Sequence, residues 1–299
     1  MAAPTVSLDV ALEQVGAEID RAFETLLAVP PDPRARLYEA MRYAAIGGGK
    51  RIRPLLVVAG CNLFHVARAR AIRVACAVEC VHVYSLIHDD LPSMDDDDLR
   101  RGKPTLHRAF DEATAVLAGD SLHALAFQIL AEDETHEDPF VRAELVLELA
   151  RAAGPAGMAG GQVMDLAAGG AGLDLAAVTR LQQLKTGALI GWCLEAAAIM
   201  GRIPPEGRLG LRGYARDVGL AFQIADDLLD REGTEQKAGK RLNKDDEAGK
   251  QTFVSLLGAD AARRQAELLA SQAAEHLHAF GSEADLLRAI ARFAVERDH

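Results

Sequence analysis

The sequence predicts an all-α protein: one domain over residues 1–299, a helical bundle around a central cavity. Three observations lead there. Nearly every long segment repeats its apolar residues at helical period and is rich in Ala, Leu and Glu, which form helices readily. Strand-like alternation and hairpin signals are absent. Proline and glycine clusters fall between the periodic segments and leave mostly short connections, as a bundle requires.

In chain order, helices are expected over Val6 to Ala28, Tyr38 to Ile46, Pro54 to Phe64 and Ala69 to Asp89. The first stops at Pro30-Pro31-Asp32-Pro33, which removes backbone donors and restricts the residues before each proline. Ala113 to Ala131 and Phe140 to Ala153 follow, separated by Glu137-Asp138-Pro139. Leu175 to Met200 comes after Gly169-Gly170-Ala171-Gly172, Leu209 to Asp230 after Pro204-Pro205-Glu206-Gly207, and Ala259 to Ala279 near the end. The one long connection, Arg231 to Lys250, is polar and basic and is expected to cover a site as a lid.

A net charge of −11 argues against nucleic acid as a partner, so an anionic substrate must be met by local Lys/Arg and by metal. The four cysteines, Cys61, Cys76, Cys80 and Cys193, include no C-x-x-C pair and sit among apolar residues. They read as buried thiols of a reducing compartment. The N-terminus has no basic-then-apolar signal pattern, and no uninterrupted apolar run reaches the roughly 18 residues of a membrane span. The expectation is a cytoplasmic protein with no stable membrane insertion.

The chemistry is concentrated in two acidic clusters beside apolar segments, His88-Asp89-Asp90-Leu91-Pro92-Ser93-Met94-Asp95-Asp96-Asp97-Asp98 and Asp226-Asp227-Leu228-Leu229-Asp230. A lone buried carboxylate would protonate. Several facing one another call for cations, and Mg²⁺ takes hard oxygen ligands and bridges to phosphates. Gln223, Asp226, Asp227 and Asp230 stand at i, i+3, i+4 and i+7, one face of an otherwise apolar helix. His82, Ser85 and Asp89 share a face of the helix before the first cluster, and Leu91-Pro92 breaks that helix so that Asp95 swings back toward Asp89.

Basic residues lie nearby. Arg100-Arg101-Gly102-Lys103 follows the first cluster, placing base for phosphate beside acid for metal. Gly47-Gly48-Gly49-Lys50-Arg51-Ile52-Arg53-Pro54 gives a flexible turn and three cations without Walker A spacing; a plain basic helix start remains an alternative. Lys185-Thr186 interrupts an apolar helix, with Gly187 permitting distortion. The lysine there either finds an anionic partner or snorkels to the surface.

Taken together, these residues resemble the short-chain trans-isoprenyl diphosphate synthases, most of all the bacterial farnesyl type. The resemblance rests on Gly48 to Pro54, His82 to Thr105, Gly160-Gly161-Gln162 with Asp165, Lys185-Thr186, Phe222 to Asp230, and Gly249-Lys250 with Thr252, in the family's order. It implies the isoprenoid synthase fold, an all-α bundle around a deep cavity, working as a homodimer. It also implies condensation of isopentenyl diphosphate with dimethylallyl or geranyl diphosphate to farnesyl diphosphate, by ionisation, condensation and elimination.

The same resemblance implies the roles. Asp89 and Asp95, supported by Asp90 and Asp96, would hold two Mg²⁺ on the allylic diphosphate, and Asp226, with Asp227 and Asp230, a third; Mn²⁺ is the substitute ion. Lys50, Arg53, His82 and Arg101 would bind the diphosphate of isopentenyl diphosphate. Arg100, Lys185, Lys240 and Lys250 would contact the allylic diphosphate, with Thr186 and Gln223 beside the reacting carbons. Without metal, a carboxylate about 5 Å from a phosphate charge would cost on the order of 3 kcal/mol per pair.

Tyr84 precedes Asp89 by five residues, roughly 7.5 Å along a helix axis, where its ring would floor the cavity for a fifteen-carbon product; plain core packing is the alternative. Tyr84 with its neighbour Ser85, and the insertion Leu91-Pro92, match the farnesyl type. Asn243 and Phe253 depart from the family's usual Gly and Tyr and leave the lid's details open. Other readings are a geranyl or geranylgeranyl diphosphate synthase, a class I terpene cyclase, an all-α metal phosphohydrolase and a non-catalytic partner subunit. The second cluster has no histidine, as a phosphohydrolase would want, and neither cluster is lost, as in a partner subunit.

Overall fold

The computed structural model describes residues 7–168, 172–232 and 251–296. Helix α1 (Leu8–Leu26) starts at Ser7, whose side chain accepts from the Val10 amide, and buries Val15, Ile19 and Phe23 along one stripe. Helix α2 (Ala35–Ala45) leads to the glycine turn, and α3 (Ile52–Leu63) and α4 (Arg68–Asp89) form the centre, buried nearly all round. Helices α5 (Leu106–Ala109), α6 (Glu112–Ala131) and α7 (Pro139–Ala153) follow. Asp111 caps α6 by accepting from the Thr114 amide, and Pro139 opens α7, where a missing N–H costs nothing.

Helix α8 (Met158–Ala167) was not expected from the sequence, since Gly160-Gly161 weakens its helical signal. Helix α9 (Leu175–Gln182) runs through a π turn, Gln183–Gly187, into α10 (Ala188–Met200). Leu175 to Met200 is therefore one rod with a distortion where Gly187 allowed it. Helix α11 (Leu209–Glu232) carries the second acidic cluster, and α12 (Phe253–Leu257), α13 (Ala259–Glu275) and α14 (Asp285–Glu296) complete the described chain.

Helix α4 packs on α6 and α3, α3 on α10, α10 on α7 and α11, and α11 on α13. One large apolar core joins α1 through α8 with α10, α11, α13 and α14, and a smaller one lies between α9, α11, α12 and α13. By length and composition α4 and α6 would also suit a membrane span. Here they pack on each other, and α4 buries Glu79. One correction concerns strands: Leu99–Arg100 (β1) and Lys103–Pro104 (β2) pair as a minimal antiparallel hairpin. Two-residue strands are too short to show alternation. Arg101 and Gly102, at φ 54° and 74°, supply the turn that primed hairpins need.

Candidate active site

The basic wall begins where α2 ends. Gly47 and Gly49 have φ of 72° and 80°, and Arg51 itself is left-handed at 52°. That geometry turns the Arg51 side chain inward. Its guanidinium donates to Glu79 Oε1 (2.6 Å), Asp20 Oδ1 (2.7 Å) and the Ala45 carbonyl (2.6 Å). Burial alone would lower the Arg51 pKa, but Glu79 and Asp20 outweigh it and hold the value up. Arg51 is an anchor, and with Lys50 and Arg53 it lines a cavity of about 350 Å³.

Other elements bring polar groups to the same cavity: His82 from α4, Arg101 from the hairpin, Thr186 from the π turn, and Gln223 and Asp226 from α11. Arg53 Nη1 lies 3.4 Å from His82 Nε2. A guanidinium only donates, so Nε2 accepts and the imidazole is neutral with its proton on Nδ1. Burial first, then Arg53, Arg101, Arg100 and Arg51, push the His82 pKa well down. Arg53 Nε is buried without a partner, a donor suited to an anion. Lys50 Nζ sits 6.0 Å from the Phe293 ring centroid. Gly49 suits glycine because of its φ of 80°, and a Cβ there, 2.5 Å from the Arg101 guanidinium carbon, would push that group aside.

The acidic wall forms at the end of α4. The chain doubles back as expected: the Asp95 amide donates to the Asp89 carbonyl (2.9 Å) and the Asp97 amide to the Asp90 carbonyl (3.2 Å). Arg100 Nε donates to Asp90 Oδ1 (3.0 Å), and its guanidinium also reaches Asp97 Oδ2 (3.4 Å). Burial pushes the Asp89 carboxyl up to about 6, with Asp95 and Asp90 adding to the rise and Lys185 and Arg100 opposing it. A carboxyl short of water and beside like charges is one that a cation would relieve. The donors are all hard oxygens, so the residues fit a divalent metal. Among the described residues, however, no three Asp, Glu, His or Cys side chains gather into a metal cage of their own.

The π turn links the walls. Lys185 Nζ pairs with Asp165 Oδ2 of α8 at 2.7 Å, so the lysine has an anionic partner and the snorkelling alternative is set aside. Gly161 lets α8 approach; a Cβ there would come within 2.2 Å of the Lys185 amide nitrogen. Thr186 Oγ1 donates to Gln223 Oε1 (3.1 Å), and Gln223 Nε2 donates to Asp227 Oδ1 (2.9 Å). The Phe253 amide donates to Asp227 Oδ2 (3.1 Å).

Tyr84 stands between His88 and His123, with ring centroids 5.4 and 4.7 Å away, and Ser85 Oγ donates to the His82 carbonyl (2.8 Å). Lys240, Asn243 and Lys250, with the expected lid, lie outside the described residues. Sequence reading missed the Arg51–Glu79–Asp20 anchor, the Asp165–Lys185 pair and the Phe253 amide. Of these, Asp165 stood among the family-like residues without a role, and Phe253 stood only as a departure from the family.

Fold and site together define an all-α protein in which basic residues and Asp226 line one cavity, with the other acidic cluster at the end of α4. The sequence matches the family described as Polyprenyl synthetase over residues 34–290, and the chain belongs to that family. It is 43% identical over 264 residues to farnesyl diphosphate synthase of Bacillus subtilis (strain 168), covering 88% of this chain and 89% of that protein. It is 45% identical over 267 residues to the chloroplastic geranylgeranyl pyrophosphate synthase 11 of Arabidopsis thaliana, covering 86% of this chain and 73% of that protein. A crystal structure of an FPP/GFPP synthase from Zymomonas mobilis superposes with a TM-score of 0.88 at 60% identity, covering 96% of this chain and 98% of that one. The family uses a divalent metal and prenyl diphosphate substrates.

Proposed function

We propose that the chain, 1–299 as one catalytic domain, condenses isopentenyl diphosphate with dimethylallyl and then geranyl diphosphate to give farnesyl diphosphate. The reading includes a cytoplasmic homodimer and up to three Mg²⁺ per active site, with Mn²⁺ as substitute. The observation that carries it is the cavity shared by Lys50, Arg53, His82 and Arg101 on one side and Asp226 on the other, with the buried Arg53 Nε unpartnered. It is a place built for one anion beside another that is already neutralised.

Lys50, Arg53 and Arg101 hold the diphosphate of isopentenyl diphosphate by charge, and neutral His82 keeps Nδ1–H to donate. Asp89, Asp95 and Asp226 are the residues that hold the metal. When bound, the metal neutralises the allylic diphosphate and stabilises charge that builds on it as a leaving group. Lys185 and Arg100, with Lys240 and Lys250, add to that stabilisation. As the allylic C–O bond breaks, Ile190 and Phe222 beside Thr186 and Gln223 keep water from the cation. The double bond of isopentenyl diphosphate attacks the allylic carbon, and a proton then leaves the new C–C unit, taken up by the released diphosphate. No aspartate serves as acid or base.

Product length is assigned to Tyr84. The Bacillus subtilis and Arabidopsis thaliana relatives are named for different products, farnesyl in one and geranylgeranyl in the other. An aromatic ring flanked by two imidazoles supports the shorter one. The test is incubation with isopentenyl and geranyl diphosphate and Mg²⁺, products resolved by chain length, with and without EDTA. Farnesyl diphosphate lost on chelation is the expected result; turnover that survives EDTA, or survives Asp89→Ala, overturns the metal assignment.

A further inference from the structure

We infer that His123 is a positioning residue for product length, resting on the assignment of Tyr84 as the floor of the cavity. Its ring braces Tyr84 from the neighbouring helix and so helps to set where the growing chain stops. Four rings stand in file across the seam between α4 and α6, two helices packed on each other. His88 and Tyr84 lie one turn apart on α4 and meet edge to face, with centroids 5.4 Å apart and planes at 89°. His123 and Phe127 lie one turn apart on α6 and meet in the same way, at 5.1 Å and 87°. The link between the two helices is Tyr84 with His123, 4.7 Å apart and tilted by 51°. All three spacings fall where aromatic pairs attract.

Both neighbours of Tyr84 are themselves held. His88 Nε2 lies 3.2 Å from the Val116 carbonyl of α6, and a carbonyl only accepts, so Nε2 carries the proton and donates. Gly119 leaves room for that ring, since a Cβ there would lie 2.2 Å from His88 Nε2. His123 is held by Phe127 on its own helix. Tyr84 therefore stands between a ring fastened to α6 and a ring carried by α6. Confinement matters because a floor stops a chain only while it stays in place. Tyr84 is half-buried, and an aromatic on a helix has two accessible χ1 rotamers. Contact with His123 favours the one observed, and an aromatic pair shifts such a balance by about two- to tenfold. Longer products arise from molecules whose ring has swung clear, so their share follows that population. His123 takes no part in holding diphosphate or metal, which separates its effect from the chemistry.

The experiment compares His123→Ala, His123→Leu, His123→Phe, Tyr84→Ala and the double variant Tyr84→Ala/His123→Ala in the full-length protein. Each is incubated with isopentenyl and geranyl diphosphate and Mg²⁺, and products are resolved by chain length at equal turnover. In His123→Ala and His123→Leu the ratio of longer product to farnesyl diphosphate should rise about two- to tenfold, with kcat for the first addition close to wild type. His123→Phe returns a ring to the same place and should keep the wild-type ratio. On the Tyr84→Ala background His123→Ala should add nothing, because the residue acts through Tyr84. The leucine variant carries the test if the alanine variant does not fold. An unchanged ratio in the ringless variants, beside a lengthened product in Tyr84→Ala, overturns the brace and leaves the role of Tyr84 standing. A full effect of His123→Ala on the Tyr84→Ala background overturns it too, as does a lengthened product from His123→Phe. An unchanged product in Tyr84→Ala itself overturns the assignment of the floor, and the brace falls with it.

Discussion

Replacing Arg51 with methionine tests whether the basic wall is held from behind. Methionine matches the aliphatic stem, and it too must adopt φ near 52°, so backbone strain largely cancels between the two proteins. What changes is charge. Glu79 is 1% exposed and has its Oε1 2.6 Å from the guanidinium, while Asp20, nearer the surface, loses a 2.7 Å partner. Breaking a buried pair by removing one member costs about 3–5 kcal/mol, because the remaining charge is left without compensation. Spread over the unfolding entropy of a chain of this length, that is a fall in Tm of about 5–8 °C.

Differential scanning calorimetry at pH 7.5 measures it. The double variant Arg51→Met/Glu79→Gln should recover more than half of the loss, since the stranded charge is gone. Lys50 and Arg53 flank the anchor, so KM for isopentenyl diphosphate should rise in the single variant while KM for the allylic substrate stays within about twofold. A Tm change under about 2 °C, or a double variant no more stable than the single, would refute the anchor.

Asp89→Asn should stabilise the protein in EDTA while abolishing turnover. The Asp89 carboxyl stands at about 6 against 3.8 in the unfolded chain, so its stabilising contribution is full below pH 3.8 and lost as pH rises through 6. At pH 7.5 the gain from asparagine is about 1–3 kcal/mol, shrinking toward acid; urea melts at pH 7.5 and 5 check both sign and trend. Gly49→Ala places a Cβ 2.5 Å from the Arg101 guanidinium at φ 80°, a strain of about 1–2 kcal/mol, and steady-state kinetics should show KM for isopentenyl diphosphate up roughly tenfold. Tyr84→Ala should lengthen the product by one or more five-carbon units on radio-TLC; an unchanged product would return Tyr84 to core packing.

Most helices could be read from the sequence because burial imposes a period of 3.6 on them, and α1, α4, α6 and α11 fall within a few residues of their expected bounds. Helix α8 could not, since its glycines serve close approach to Lys185, a tertiary need that looks locally like loop chemistry. The site was legible as residue types and less so as directions. Lys50, Arg51 and Arg53 read as three equal cations and all three line the cavity, yet only Arg51 is tied from behind, to Glu79, Asp20 and the Ala45 carbonyl. Lys185 read as a lysine in want of an anion, but its partner lies twenty residues earlier on another helix, and no local pattern names it.

The second acidic cluster shows the same division between bearing and presenting charge. Asp226 and Asp227 are adjacent and chemically identical, so the sequence gives no reason to separate them. The structure does. Thr186 donates to the oxygen of Gln223, which fixes that amide with its nitrogen toward Asp227, and the Phe253 amide approaches the other Asp227 oxygen. Both oxygens of Asp227 are thus engaged by the protein, the residue is 6% exposed, and its charge is spent on joining α11 to the π turn and to α12. Asp226 lines the cavity opposite the basic wall instead. Asp227 fixes the geometry in which Asp226 is offered, much as Arg51 fixes Lys50 and Arg53 across the same space. Each wall of the site therefore rests on a buried residue of the same charge as those it displays, Arg51 held by two carboxylates and Asp227 by two neutral N–H donors, while its neighbours line the cavity.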